Sequence, residues 1–385
     1  MKLDRTIDVP LCDIQASYRQ LREPIEEALD RIFNSGQVIL GPEVEACERE
    51  VAFYCGAGHG VGCASGSDAL LLALSALKTR PGDEVILPTF TFFATAGAIC
   101  RVGARPVFAD IEPGTFNVDP KQIEAKITRR TKAIMPVHLF GQCAEMTEID
   151  RIASRHGLPV IEDAAQAFGA ECDGKRVGAL ASMSCFSFYP TKTLGTFGDG
   201  GMVVTDNAAW AKNMACLRVH GMEPKYHHKQ LGWNARLDAM HAAILRVKLP
   251  HVESWIAARQ AAAQRYTELI AEYQLGEFLT PPTVRPHQRH TFNQYVVRVA
   301  DGSRDALLRH LKARRIGCEV YYPRPLHMQE CFAYLGHCVG DFPISEAASQ
   351  CVLALPMFPE LTEEQQEHVI ASCADFVRVP QRLAA

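Results

Sequence analysis

Short apolar runs rich in β-branched residues recur between Leu70 and Asp206: EVILPT (84–89), RPVFADI (105–111), KAIMPVH (132–138), LPVIED (158–163), MSCFSF (183–188) and GMVVTD (201–206). Each is too short for a helix and reads as a strand. Between them lie segments of helical period, such as FATAGAICRVG (93–103) and EMTEIDRIASRHG (145–157). Strands alternating with helices predict βαβ units, hence a mostly parallel sheet covered on both faces. The fold class is α/β.

Upstream, the pattern predicts a helix over 15–34 and a second one opened by Pro42, with Glu43 and Glu45 near its positive end. The run SGSDALLLALSALK (65–78) predicts a strongly apolar helix preceded by N-cap residue types. A long helical pattern over 234–273 is expected to kink or break at Pro250. Beyond it the character changes: a Pro/His-rich loop (281–290), a strand (293–299), a helix around 304–315 and the alternating EVYY (319–322). We expect an N-terminal arm and large α/β domain over 1–250, and a smaller C-terminal α+β domain over 251–385.

Composition narrows the function. The chain has 385 residues, 48% of them hydrophobic and 22% charged, which suits two ordinary globular domains. A formal net charge of −4 and a pI near 6.4 carry no electrostatic footprint for nucleic acid or an anionic membrane, so a small-molecule partner is expected. The fourteen cysteines are scattered, without a C-x-x-C pair, mostly in apolar segments such as those around Cys63, Cys100 and Cys216. They read as buried free thiols in a reducing compartment. The first residues, MKLDRTIDVPLCDI, lack an apolar core of the secretory type, and no stretch nears the roughly 18 apolar residues of a membrane span. A cytoplasmic protein is expected.

Four motifs bear on the chemistry. GAGHGVG (56–62) has tempting glycines, but it follows a helical pattern and precedes a strand, the reverse of a dinucleotide fingerprint, and reads as a turn. SGSD (65–68) opens a helix whose free N–H groups could hold a phosphate. VIEDAAQAFGA (160–170) ends a strand in Glu162 and Asp163, where open α/β sheets place ligands. Further on, FSFYPTKTLGTFGDGG (186–201) holds a lone Lys192 at the end of the next strand.

A lysine for a Schiff base, a carboxylate for a ring nitrogen, a helix N-terminus for a phosphate and an aromatic face together fit pyridoxal 5′-phosphate (PLP). PTFTFFATAGA (88–98) can supply the aromatic face.

The chain resembles the DegT/DnrJ/EryC1/StrS family of PLP-dependent nucleotide-sugar aminotransferases. The resemblance runs from GPEVEACE (41–48) through ASGSDALLLAL, GDEVILPTFTFFATA, PVFADIEPGTFNVDP, PVHLFGQ, VIEDAAQAFGA and FSFYPTKTLGTFGDGGMVVT to RVHGMEPKYHHKQLGWNARLDAMHAAILRVKL (218–249), and weakens over the last third. It implies the PLP-dependent transferase fold of type I, like aspartate aminotransferase. It implies that Lys192 joins the cofactor aldehyde, Asp163 pairs with the pyridinium nitrogen, Gln166 lies near the ring hydroxyl and Phe92 stacks on the ring. The phosphate would be held by the Gly66 and Ser67 backbone, by Ser187, and by Asn234 from a partner subunit, so that a homodimer shares its sites.

Three positions depart from the family pattern: Ser67 where Thr is common, Thr193 where Asn is common, and Ala235 in the run Asn234-Ala235-Arg236. The resemblance implies amino transfer from an amino acid, L-glutamate being expected, to a nucleotide-linked keto sugar, with 218–249 closer to members acting on 3-keto sugars. A PLP-dependent sugar dehydratase on this scaffold would replace Lys192 or add an iron–sulfur site. A non-catalytic sugar-responsive regulator would need no intact Lys192–Asp163 pair.

Overall fold

The computed structural model describes residues 7–383. Strands β1 (His59–Cys63), β2 (Glu84–Pro88), β3 (Arg105–Ala109), β4 (Thr131–Ile134) and β5 (Ile161–Asp163) are followed by two short strands, β6 (Glu171–Cys172) and β7 (Lys175–Arg176). Then come β8 (Met183–Ser187) and β9 (Gly201–Thr205). The large sheet has two ladders, β3-β2-β4 and β1-β9-β8-β5. Parallel bridges Ile134–Val160 and Val137–Asp163 join them, giving the order β3-β2-β4-β5-β8-β9-β1. Only β9 runs against its neighbours.

The six expected strands are all present, each within its expected span or one residue outside it. They are apolar throughout because both faces are covered; every residue of β2 and β9 is buried. The helix Gly66–Ala76 packs between the sheet and the helices Phe93–Arg101 and Ala208–Leu217. That explains its unbroken apolar run: Leu70, Leu71, Leu72, Ala73 and Leu74 are all buried, so it has no solvent face to mark with polar residues. By contrast Met146–His156 buries one stripe, Met146, Ile149, Ile152 and Ala153, at helical spacing.

The long pattern at 234–273 resolves into two helices, Ala239–Lys248 and Val252–Glu272, separated by a 3₁₀ turn, Leu249–His251, that contains Pro250. The break falls where expected, but the first helix starts later. Residues 234–238 are extended, and Asp238, not Asn234, occupies the N-cap position.

Strands β10 (Leu279–Thr280), β12 (Tyr295–Val299) and β13 (Val352–Leu355) form an antiparallel sheet backed by Val252–Glu272, Arg304–Ala313 and Glu363–Leu383. The intervening β11 (Gln288–Arg289) leaves the expected Pro/His-rich loop to pair with β6. Val9 at the N-terminal end lies in the core of this C-terminal part and bridges Ile316. All fourteen cysteines are unpaired; Cys63 is buried, and Cys100 and Cys216 are half-buried. Among the described residues no helix is long and apolar enough to cross a membrane, and no His/Cys/Asp/Glu cluster could hold a metal ion.

Candidate active site

Side chains alternate across a strand, so Glu162 and Asp163 at the end of β5 face opposite ways. Glu162 turns into a sealed polar cluster. His138 Nε2 lies 2.8 Å from its Oε1, and Ser184 Oγ donates to its Oε2. The Ala144 amide donates to His138 Nδ1 at 3.1 Å. Nδ1 therefore carries no proton and Nε2–H is the donor to Glu162. This carboxylate is fully committed and serves structure.

Asp163 turns the other way. Its Oδ2 accepts from Thr95 Oγ1 at 2.7 Å and its Oδ1 from the Ala165 amide at 3.2 Å. Burial pushes its carboxyl up, opposed by these two hydrogen bonds and by the charge of Lys192. Lys192 lies in the turn after β8, its backbone amide bonded to Tyr189 O at 2.9 Å. Burial lowers its ammonium to about 8, with Asp163 opposing. The two groups feel each other's charge.

The second element is the start of the helix Gly66–Ala76. Ser65 Oγ accepts from the Asp68 amide at 3.1 Å and donates to the Asp68 carboxylate at 2.9 Å. Ser65 O takes the Ala69 amide. The helix leaves its first four N–H groups without internal partners, so those of Gly66 and Ser67 remain open. A Cβ at Gly66 would stand 2.6 Å from Ser187 Cβ, so glycine lets Ser187, the last residue of β8, lie against this helix start. A Cβ at Gly201 would meet Ser65 O at 2.3 Å, which keeps that position glycine as well.

The third element is aromatic. Phe92 precedes the helix Phe93–Arg101 and is 58% exposed, large for an aromatic residue beside a buried carboxylate. Its ring lies 6.2 Å from that of Tyr322. Gln166 is buried, accepts from the Phe140 amide at 2.8 Å and donates to Tyr322 Oη at 3.2 Å. Burial pushes the Tyr322 phenol well up, and the nearby Asp163 charge adds to the shift.

Lys192, Asp163, Gln166 and Phe92 are thus gathered around one space, and Gly66, Ser67 and Ser187 around the helix start beside it. Asn234 is apart. Its side chain is exposed, and no hydrogen bond joins it to Gly66, Ser67 or Ser187 among the described residues. Its backbone belongs to the stem of a loop, where it bridges Val219.

Sequence reasoning missed two residues. Thr95 looked like a small residue in an apolar helix; its position three after the N-terminal Phe92, one helical turn along, was the available signal. Tyr322 ends the alternating EVYY, of which Glu319 makes only an isolated bridge to Ala354, and Tyr322 follows in a loop. No pattern in that part of the chain indicated its contact with Gln166.

These residues fit PLP on their own geometry: open N–H groups at a helix start with no room for a Cβ, a buried carboxylate with fixed donors, and an amine held near neutrality by burial. A model of the DegT/DnrJ/EryC1/StrS aminotransferase family matches residues 19–374. A Geobacillus stearothermophilus protein named pleiotropic regulatory protein is 50% identical, over 97% of this chain and 99% of its own length. UDP-N-acetyl-3-dehydro-alpha-D-glucosamine 3-aminotransferase of Acidithiobacillus ferrooxidans is 46% identical, over 96% and 97%. The crystal structure of DesV from S. venezuelae superposes with a TM-score of 0.92 at 41% identity, covering 96% of this chain and 98% of that one.

Proposed function

The chain belongs to the DegT/DnrJ/EryC1/StrS aminotransferase family, and we propose how its residues carry out PLP-dependent amino transfer to a nucleotide-linked sugar. It is a sugar aminotransferase with the type I fold, and a 3-keto sugar is its acceptor class. The observation that carries the residue assignment is the convergence of Lys192 and Asp163 on one space, with the Gly66–Ser187 cradle beside it.

When bound, PLP supplies an electron sink for the electrons released at the substrate carbon. Lys192 Nζ would hold the cofactor covalently and, as a free amine, would move the proton at the reacting carbon. An amine with a pKa near 8 is partly neutral at physiological pH, as a general base must be. Asp163 keeps a proton on the ring nitrogen. Gln166 and Tyr322 would hold the ring hydroxyl, and Phe92 would pack on the ring. The N–H groups of Gly66 and Ser67, with Ser187, hold the phosphate. Residues 1–250 carry these groups, and residues 251–385 form the lobe that brings Tyr322 to them.

L-glutamate is the proposed donor, and a homodimer in which Asn234 reaches the partner's phosphate is the proposed assembly. The exposed Asn234, without a contact in its own site, supports that assembly. An intact Lys192–Asp163 pair speaks against both the dehydratase and the regulator readings. The test is a panel of 3-keto and 4-keto nucleotide sugars with glutamate. Turnover should favour the 3-keto substrates; preference for 4-keto sugars, or no amino product with any of them, would overturn the reading.

A further inference from the structure

Lys248 is the last residue of the helix Ala239–Lys248, directly before the 3₁₀ turn, and its side chain is buried to 3% exposure. A buried lysine normally pairs with a carboxylate. This one does not: its Nζ donates to the Gly195 carbonyl at 2.6 Å and sits 4.6 Å from the centre of the Phe197 ring, with Trp255 at 6.0 Å. Its position in the last helical turn would suit the negative end of the helix dipole, yet the ammonium reaches across to another segment.

That segment is the lysine loop. Phe188 O accepts from the Thr196 amide at 2.9 Å, Tyr189 O from the Lys192 amide at 2.9 Å, and the chain between folds back tightly. A Cβ at Gly195 would stand 2.7 Å from Tyr189 O and 2.8 Å from Pro190 O. Gly195 therefore closes the turn that carries Lys192, and its carbonyl points out of the turn to Lys248. A small cavity of about 30 Å³ lies beside this contact, lined by Lys192, Thr193, Gly195, Lys248, Arg259 and Glu360 among others. It is large enough for one water molecule. Residues from the N-terminal segment, the lysine loop, the helix break and the C-terminal part meet there.

We propose that Lys248 is a positioning residue, which holds the Gly195 carbonyl and so fixes the turn that presents Lys192. The ammonium is stabilised by one charge-assisted hydrogen bond and the faces of two aromatic rings. Burial depresses its pKa to about 8, with Cys12 and Glu360 opposing, so the amine still carries a donor proton across the neutral range. This inference rests on the assignment of Lys192 as the cofactor lysine.

The test compares wild type with Lys248→Met and Lys248→Arg. In the cofactor-free protein, amide exchange at Lys192 and Thr196 should quicken roughly tenfold in Lys248→Met, while β8 and β9 exchange as before. In the holoenzyme the same variant should lose cofactor faster to hydroxylamine and show a reduced kcat with an unchanged KM for the sugar. Lys248→Arg, which can still donate to Gly195 O, should restore both. Unchanged loop exchange would overturn the tether. Faster exchange with unchanged cofactor retention and kcat would overturn the positioning role. Should Lys248→Met not fold, Lys248→Gln, too short to span the gap, serves with the same expected results. A Lys192→Ala protein that still bound cofactor covalently would overturn the underlying site assignment instead, and the exchange result would be unaffected.

Discussion

The Thr95 hydroxyl donates to Asp163 Oδ2 at 2.7 Å across 68 positions of sequence, from the first turn of a helix to the end of β5. Thr95 has one hydroxyl proton, and the shorter, charge-assisted contact takes it. Thr91 Oγ1, 3.1 Å away, then donates to Thr95, and the Thr95 amide bonds to Phe92 O. One residue thus fixes both the carboxylate and the backbone beneath the exposed aromatic ring.

Thr95→Val keeps the volume and removes the donor. Hydrogen bonds to charged groups contribute about 1.5–3 kcal/mol, so Asp163 would be less firmly ionised and would hold the ring-nitrogen proton less well. We expect kcat to fall roughly tenfold or more, the equivalent of about 1.4 kcal/mol, with Thr95→Ser near wild type. Asp163→Asn should be worse, by roughly a hundredfold or more, since a charge aimed at the reacting system is lost outright. Steady-state kinetics with both substrates would check this, and a Thr95→Val protein with full kcat would refute it.

Lys192→Ala should fold, lose the visible absorption of the bound cofactor and lose transamination. It also has a pH signature in the cofactor-free protein. Lys192 is lowered to about 8 when folded, against about 10.4 in an unfolded chain. Between those values the unfolded chain binds the proton and the folded one does not, so stability rises with pH across that window. Below about pH 8 the burial of a charge is at its most costly. Wild type should therefore melt below Lys192→Ala near pH 7, and the gap should close toward pH 10. A gap that widens with pH would contradict the burial argument.

Gly66→Ala tests the phosphate cradle. The new methyl would stand 2.6 Å from Ser187 Cβ, so the helix start or β8 must shift. Overpacking of this kind costs about 1–3 kcal/mol. Because the shift displaces the open N–H groups, the cofactor dissociation constant should rise more than the melting temperature falls. Equilibrium dialysis against PLP, beside calorimetry of the cofactor-free protein, separates the two.

The sheet and the cofactor groups were legible because both are written locally. Fully buried strands show as short apolar runs; Asp163 ends one such run, and Lys192 lies in the turn after the next. The buried helix Gly66–Ala76 was legible from its cap residues rather than from any periodicity. What was not legible depends on contacts between distant segments. Tyr322 meets Gln166 across 156 positions, and nothing around residue 322 encodes that meeting. The strand β11 is two residues long and exists only because β6 is there to pair with it. The helical pattern also ran too far upstream at Asn234, because composition alone does not reveal that 233–235 pair with 217–220 and that Asp238 bridges Ile39.

That last correction sharpens the prediction for the assembly. If Asn234 capped a helix, its loss would be a local defect of about 1 kcal/mol. The structure removes that rival, since Asp238 holds the N-cap position and Asn234 is exposed on the stem of a projecting loop. The stem is tight: Gly221 and Gly232 approach so closely that a Cβ on Gly232 would lie 2.3 Å from Gly221 N, while Tyr226 and Leu231 further along are 78% and 96% exposed. Exposed apolar side chains on such a loop suit a segment that docks on another copy of the chain. Mixing inactive Lys192→Ala chains with inactive Asn234→Ala chains should then restore activity. In a hybrid dimer both defects fall in the same one of the two shared sites, because the Lys192→Ala chain lends its sound Asn234 to the site that keeps its lysine. Once subunit exchange is verified by mass spectrometry, recovery of up to about a quarter of wild-type activity is expected, since roughly half the dimers are hybrids with one working site each. No recovery, or a fully active monomer by sedimentation, would exclude shared sites.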